Sequence, residues 1–123
     1  MMEKILVFGS NTEGRHGKGA AKLALMEFGA VYGQAKGLQG RSYAIITKDL
    51  SKGPRSVSLE SIKEQVDECL NFAFNNPNLL FIVTPIGCGL AGFKYEEIAP
   101  MFSRCKELNL PNVILPREFE GYY

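Results

Sequence analysis

The chain has 123 residues, of which 46% are hydrophobic and 22% charged, and its formal net charge is +1. These values are typical of one ordinary globular domain, so we expect a single domain over residues 1–123. They give no strong signal for nucleic-acid binding, and no apolar run approaches the roughly 18 residues of a membrane span.

The first half of the chain predicts two strands on either side of a helix. Residues 5–8 form a continuous apolar run, which is typical of a strand buried on both faces. Residues 18–28 are helical in composition and are followed by Gly29, where a helix C-cap glycine belongs. Residues 31–41 are punctuated by glycine and fit no single element, whereas residues 42–47 predict a second strand.

The second half predicts two further strands and two further helices. Residues 59–75 form the clearest helix, with apolar side chains on one face, a serine placed to cap its start and an Asn-Pro pair at its end. Residues 79–84 predict a central strand, and residues 112–115 predict a short final one. Between them, residues 95–108 predict a helix that Pro100 can break locally. The alternation predicts a layered α/β fold with right-handed crossovers.

Three cysteines are widely spaced and form no CxxC pair, and the single histidine is His16. This pattern predicts neither a zinc site nor a disulfide framework, so we expect no metal ion and no cofactor. The odd number of thiols fits the reducing cytosol. Because the N-terminal apolar run is too short for a signal peptide, we expect a cytoplasmic protein with no membrane partner.

Two glycine-rich loops each follow the C-terminal end of an apolar strand and precede a helix. We call residues 9–19 the first glycine loop and residues 85–93 the second glycine loop. Glycines let backbone amides approach a ligand, and helix N-termini favour anions. Two such loops at one sheet edge can clamp a diphosphate, although each can also be only a tight strand-to-helix connection.

Two named phosphate motifs do not account for these loops. The pairs Gly9/Gly14 and Gly14/Gly19 each have Walker-type spacing, but Arg15-His16 and Ala20-Ala21 follow them instead of the required Lys-Ser/Thr pair. Residues 87–92 read G-x-G-x-x-G, yet they lie in the last third of the chain and not in a first βαβ unit. They therefore do not predict a dinucleotide-binding half-domain.

At these residues the sequence resembles the macrodomain family, whose members bind ADP-ribose or hydrolyse its conjugates. The likeness spans about residues 8–115 and is strongest to the terminal ADP-ribose glycohydrolases that use a lysine. Residues 11–21 resemble that branch's ligand-binding loop and first helix, 44–48 its strand ending in the catalytic lysine, and 58–70 its next helix. Residues 85–90, Pro-Ile-Gly-Cys-Gly-Leu, resemble its second phosphate loop. The resemblance implies a three-layer α/β/α fold with a central mixed sheet of four to six strands.

The resemblance implies that Lys48 is catalytic and that the ligand lies between the two glycine loops. Together with the loop chemistry, it predicts a ligand-binding set. These residues are Gly9, Ser10, Asn11, His16, Gly17, Lys18, Gly19, Ala20, Gly87, Cys88, Gly89, Leu90, Ala91, Gly92 and Phe93.

Two departures from the family pattern bear on activity. Ala91 stands where the lysine-using hydrolases carry an aspartate that assists release from the lysine adduct. Asp49 is adjacent to Lys48, but neighbouring strand residues point to opposite sides, so it is a poor substitute. The chain also begins too late to contain the family's N-terminal strand, whose Gly-Asp pair reads the adenine amino group. Turnover and adenine specificity therefore stay open.

Several of these residues have a second interpretation from the sequence. Lys48 can be a nucleophile, a phosphate counter-charge or a solvated strand end. His16 can hydrogen-bond a phosphate, act as a general acid or lie on the surface. Asn11 can bind a ribose hydroxyl or cap the loop, and Phe93 can cover the distal ribose or anchor the loop in the core. Cys88 has no obvious base, which favours a packing role over a nucleophilic one.

Three functions follow from these observations. The first is a module that binds ADP-ribose or a related nucleotide, with a small-molecule ligand as its partner. The second is a hydrolase that uses Lys48 to remove ADP-ribose from an ADP-ribosylated macromolecule. The third is a non-enzymatic interaction protein on an inherited fold with an empty site.

Overall fold

A computed structural model describes residues 2–123, and its centre is one five-stranded sheet with helices on both faces. The strands are β1 (Glu3–Asn11), β2 (Gly37–Gln39), β3 (Ser42–Lys48), β4 (Leu79–Val83) and β5 (Val113–Ile114). The helices are α1 (Gly19–Glu27), α2 (Leu59–Phe74), α3 (Tyr95–Ile98) and α4 (Arg104–Glu107), with 3-10 turns at Ala99–Phe102 and Arg117–Phe119.

The sheet is mixed, with the strand order β2-β3-β1-β4-β5. β1 lies at its centre and pairs in parallel with β3 on one side and β4 on the other. β5 continues the parallel part beside β4, whereas β2 pairs antiparallel with β3 at the opposite edge. The predicted α/β class and the predicted mixed sheet of four to six strands are confirmed.

Two separate cores, one on each face of the sheet, give the three predicted layers. On one face α2 and the turn Ala99–Phe102 cover side chains that alternate along the strands, such as Val7 and Ile45. On the other face α1 contributes two alanines, Ala21 and Ala24, against Phe8 and its neighbours. Because β1 sends side chains into both cores, its apolar run is continuous instead of alternating.

Most predicted elements are present, and the differences have local causes. The helix predicted at 95–108 is divided into α3, a 3-10 turn and α4, because Pro100 has no N–H to continue the α-helical ladder. The segment 31–41, which fitted no element, contributes the short edge strand β2. α2 matches its prediction, and the Ser58 hydroxyl accepts a hydrogen bond from the Ser61 N–H at 3.0 Å. Across residues 2–123, no helix is long and apolar enough to span a membrane.

A side-chain amide completes the sheet near the end of β3. β2 pairs with β3 only from Ser42 to Ala44, so the backbone of Ile46 lies beyond the end of β2. Gln65 of α2 is buried there, where its Oε1 accepts from the Ile46 N–H at 2.7 Å and its Nε2 donates to the Ile46 carbonyl at 2.9 Å. These two bonds replace the missing strand, and they attach α2 to β3 close to Thr47 and Lys48.

We expect Gln65→Leu to destabilise the fold by about 1–3 kcal/mol, because it keeps the side-chain size but leaves the Ile46 N–H and C=O without partners. Urea unfolding monitored by circular dichroism measures the change. Glu64→Ala, on the exposed face of the same helix, is the control and should stay within about 0.5 kcal/mol of the parent chain. Equal stability of the two variants would contradict a structural role for the Gln65 amide.

Candidate functional site

The carboxyl ends of the three central strands open onto one cavity. The chain leaves β1 towards the face covered by α1, and it leaves β4 towards the face that carries Ile98 and Phe102. The two connections therefore diverge above neighbouring strands, which is where α/β sheets bind ligands. The cavity between them has a volume of about 830 Å³, within the usual range of small-molecule sites.

The structure brings most of the predicted site residues into the cavity lining. Predicted residues that line it are Gly9, Ser10, Asn11, Gly17, Lys18, Gly19, Ala20, Lys48, Gly87, Cys88, Gly89, Leu90 and Ala91. Residues that were not predicted but also line it are Arg15, Ala21, Thr47, Leu50, Thr84, Pro85, Ile86 and Tyr95. Four of these eight adjoin a predicted residue in sequence, and Tyr95 is the first residue of the helix after the second glycine loop. Three predicted residues, His16, Gly92 and Phe93, are not part of the lining.

Close approach of three chain segments at Gly9 sets the geometry of the cavity floor. A Cβ atom at Gly9 would lie 3.1 Å from Thr47 Oγ1 and 3.3 Å from the backbone nitrogen of Gly87. Contacts this short would force β3 or the second glycine loop to move. Gly87 itself has a φ of +73°, which side-chain-bearing residues rarely adopt. Glycine at both positions therefore lets the second glycine loop cross the end of β1.

All charged side chains in the lining are cations. Arg15 and Lys18 come from the first glycine loop and Lys48 from the end of β3, and no aspartate or glutamate from the described residues lines the cavity. Neighbouring α1 has no acidic residue in its first turn, and no side chain of the described residues caps its N-terminus. Its first N–H groups and these cations favour an anionic ligand.

Lys48 lines the cavity at the end of β3. Within residues 2–123, its amine forms neither an ion pair nor a side-chain hydrogen bond. The adjacent Asp49 accepts hydrogen bonds from the Ser51 hydroxyl at 2.6 Å and the Ser51 N–H at 2.9 Å, which lower the pKa of Asp49. Asp49 is thus committed to its own turn, and it does not line the cavity.

The side chain of His16 points away from the cavity and into the protein. The sequence predicted either a ligand contact or a surface position for it, and the structure shows neither. Its side chain is 1% exposed and packs edge-on against Phe8, with ring centroids 5.1 Å apart. Nε2 lies 3.1 Å from both the Gln34 carbonyl and Gln39 Oε1. Gln39 Oε1 also accepts from the Val31 N–H at 2.9 Å, so it is an acceptor and His16 Nε2 is the donor. His16 therefore joins the loop to β2.

Gly92 and Phe93, at the end of the second glycine loop, lie on the side of the loop away from the cavity. The Phe93 side chain is buried in the core, and its N–H donates to the Gly87 carbonyl at 2.9 Å. A Cβ atom at Gly87 would lie 3.3 Å from the Phe93 ring. A Cβ atom at Gly92 would lie 3.2 Å from the Pro54 side chain, and Gly92 does not line the cavity. Of the two interpretations of Phe93, the structure matches the core anchor.

Asn11 and Cys88 line the cavity, but their polar atoms are engaged by the backbone. Asn11 Oδ1 accepts from the N–H groups of Glu13 and Arg15 at 3.2 and 2.9 Å, and Nδ2 donates to the Arg15 carbonyl. Asn11 therefore caps its loop. Cys88 Sγ donates to the Ile86 carbonyl at 3.4 Å, and burial raises the pKa of this thiol to about 11. A protonated thiol fits the packing role.

Comparison with known proteins shows a likeness of fold. No family model matches the chain, and no curated protein matches it by sequence. Among solved structures, the chain is similar to Thermosipho africanus DarTG in complex with ADP-ribose, with a TM-score of 0.63 and 20% sequence identity. The match covers 95% of this chain and 39% of the DarTG chain, so this chain spans about two fifths of that protein. This likeness supports the macrodomain-like fold.

We expect Cys88 to react slowly with iodoacetamide, because only the thiolate is nucleophilic and its pKa is raised to about 11. At pH 7.5 its alkylation should be roughly a hundredfold slower than that of free cysteine, and the rate should rise towards pH 11. Site-resolved mass spectrometry measures the rate. Alkylation at the rate of free cysteine would favour the nucleophile interpretation instead.

Proposed function

We propose that the chain binds ADP-ribose, or a related nucleotide diphosphate, between its two glycine loops. The observation that carries this proposal is a cavity whose charged lining consists of Arg15, Lys18 and Lys48 without a carboxylate from the described residues. Such a lining attracts a diphosphate. Arg15 also pairs with Glu13 of the same loop at 3.1 Å, so within residues 2–123 Lys18 and Lys48 are the lining cations without an ion pair.

Further features of the cavity support a nucleotide over a free phosphate ion. Backbone groups of both glycine loops line its walls, and the uncapped first turn of α1 adds N–H donors. Leu50, Leu90 and Tyr95 add apolar surface to the same lining, which a nucleoside can cover. The similar fold of DarTG in complex with ADP-ribose supports this ligand.

We expect isothermal titration calorimetry to detect ADP-ribose binding and Gly89→Val to weaken it at least about tenfold, because overpacking a fitted site typically costs 1–3 kcal/mol. A Cβ at Gly89 would meet no atom within 4 Å, and its φ is not positive, so the substitution should not strain the free protein. The thermal midpoint without ligand is therefore the control and should stay unchanged.

AMP and inorganic phosphate are the matched comparison ligands, and we expect both to bind more weakly than ADP-ribose. Affinity should also fall as salt is raised, because the contacts are ionic. If the folded protein gives neither heat nor a melting shift with any nucleotide, the proposal is wrong.

Hydrolysis through Lys48 is the second candidate function, favoured by the partner-free position of its amine in the lining. An amine that attacks the anomeric carbon of an ADP-ribosyl group must first lose its proton to a base. No carboxylate of the described residues lines the cavity to accept it, and Ala91 occupies the position of the expected aspartate. We therefore place binding before hydrolysis.

We expect Lys48→Ala to weaken ADP-ribose binding by about fivefold, since it removes one of three cationic contacts to a diphosphate. Any release of ADP-ribose from ester-linked or base-linked conjugates should vanish in the same variant. Lys48→Arg separates the two roles, because it keeps the charge but not a nucleophilic amine. Hydrolysis that persists in Lys48→Ala would exclude this residue as the nucleophile.

A further inference from the structure

A third loop, between β3 and α2, forms a bridge between the two glycine loops. We call residues 49–57 the bridging segment. At one end the Leu50 N–H donates to the Thr12 hydroxyl at 3.3 Å, which ties the segment to the first glycine loop. At the other end the Arg55 N–H donates to the Ala91 carbonyl at 2.6 Å, which ties it to the second. The segment thus touches both walls of the cavity.

The Arg55 side chain adds a bidentate ion pair to this bridge. Its Nη1 and Nη2 donate to Glu97 Oε1 and Oε2 at 2.6 and 2.7 Å. Glu97 Oε1 also accepts from the Lys94 N–H at 2.9 Å, at the start of α3. These bonds hold the pKa of Glu97 at about 2, so the carboxylate is charged at neutral pH. Paired N–H···O bonds set orientation as well as distance.

The same guanidinium covers the aromatic ring that supports the second glycine loop. Its carbon lies 5.0 Å from the centre of the Phe93 ring, and Nη1 lies 3.4 Å from the Gly92 carbonyl. Phe93 in turn packs beneath Gly87, whose nitrogen borders the cavity floor. Contacts therefore run without a gap from Glu97 through Arg55 and Phe93 to the ligand-facing backbone.

The backbone of Arg55 supports a specific role for this contact. Its φ is +54°, a left-handed conformation that is uncommon for a residue with a side chain. The conformation places both the N–H and the guanidinium on the second glycine loop. Neither group lines the cavity, so their effect on a ligand must pass through that loop.

We propose that Arg55 and Glu97 are positioning residues, which hold the second glycine loop in its ligand-binding conformation through the bidentate ion pair and the contact with Phe93. This inference rests on the proposed function for the ligand itself. In this arrangement an ion pair that does not contact the ligand fixes the conformation of the second glycine loop. Without this support the loop would be mobile, and the affinity of the protein for the ligand would fall because binding would have to order the loop.

The test compares ADP-ribose affinity in Arg55→Ala, Arg55→Lys and Glu97→Gln with that of the parent chain, at a temperature where each variant is fully folded. We expect each to bind about five- to tenfold more weakly, since lysine keeps the charge but cannot form the paired bonds. The double variant Arg55→Ala/Glu97→Gln should bind ADP-ribose no more weakly than the weaker-binding of its two single variants, because the two residues act as one unit.

Lys63→Ala is the matched control, because the Lys63 amine also contacts both oxygens of a carboxylate, that of Asp67, at 2.7 Å on α2. It should leave the affinity unchanged. A second readout needs no ligand: the amide resonances of Gly87, Gly89 and Gly92 should shift in the Arg55 and Glu97 variants but not in Lys63→Ala. If the ion pair only stabilised the fold, its removal would lower the thermal midpoint but would change neither the ADP-ribose affinity nor the glycine resonances.

The two proposals fail in different ways. If the parent chain binds no nucleotide while the glycine resonances shift as expected, the ligand proposal is wrong and the positioning role stands. If the parent chain binds ADP-ribose and all three single variants bind it as tightly as the parent chain does, the positioning role is wrong. Glycine resonances that do not move in any variant would also overturn it.

Discussion

The close contact of β1, β3 and the second glycine loop at Gly9 is the constraint on which the site depends. A methyl group at this position would lie 3.1 Å from Thr47 Oγ1 and 3.3 Å from the Gly87 nitrogen, contacts so tight that a neighbouring segment would have to shift by a few tenths of an ångström. Because Gly9 lacks a side chain, the connection after β4 passes over the end of β1 without displacing either segment. That crossing brings the second glycine loop opposite the first, and the cavity is the space that remains between them.

Both loops are supported on the side away from the cavity. His16 holds the first glycine loop through its hydrogen bonds to the Gln34 carbonyl and Gln39, while Phe93 and Arg55 hold the second. These supports are buried or paired, whereas the cavity lining combines glycine-loop backbone, three basic residues and apolar side chains such as Leu50, Leu90 and Tyr95. A backbone surface that is already ordered loses little conformational entropy when an anion binds, which favours affinity.

The charged groups at this site meet the needs of anion binding better than those of acid–base catalysis. A diphosphate needs cations and N–H donors, and the lining contains both. Acid–base catalysis needs a group that can accept and return a proton near the reacting carbon. Among the described residues, the carboxylates close in sequence to the lining all have partners: Asp49 in its own turn, Glu97 with Arg55, Glu96 with Lys94 and Glu13 with Arg15. The binding role therefore has the fuller set of groups.

The sequence by itself determined the elements whose signals are local. Apolar runs predicted β1, β3 and β4, one-sided periodicity and a capping serine predicted α2, and glycine spacing predicted both loops, because each pattern lies within a few consecutive residues. Only the tertiary structure decided what depends on distant partners. β2 forms because it pairs with β3, and Gln65 is needed because Ile46 lies beyond that pairing. The His16 side chain points inward, where Gln39 Oε1 accepts a hydrogen bond from its Nε2–H. Arg55 meets Glu97 from 42 residues away, a separation over which no local pattern carries information.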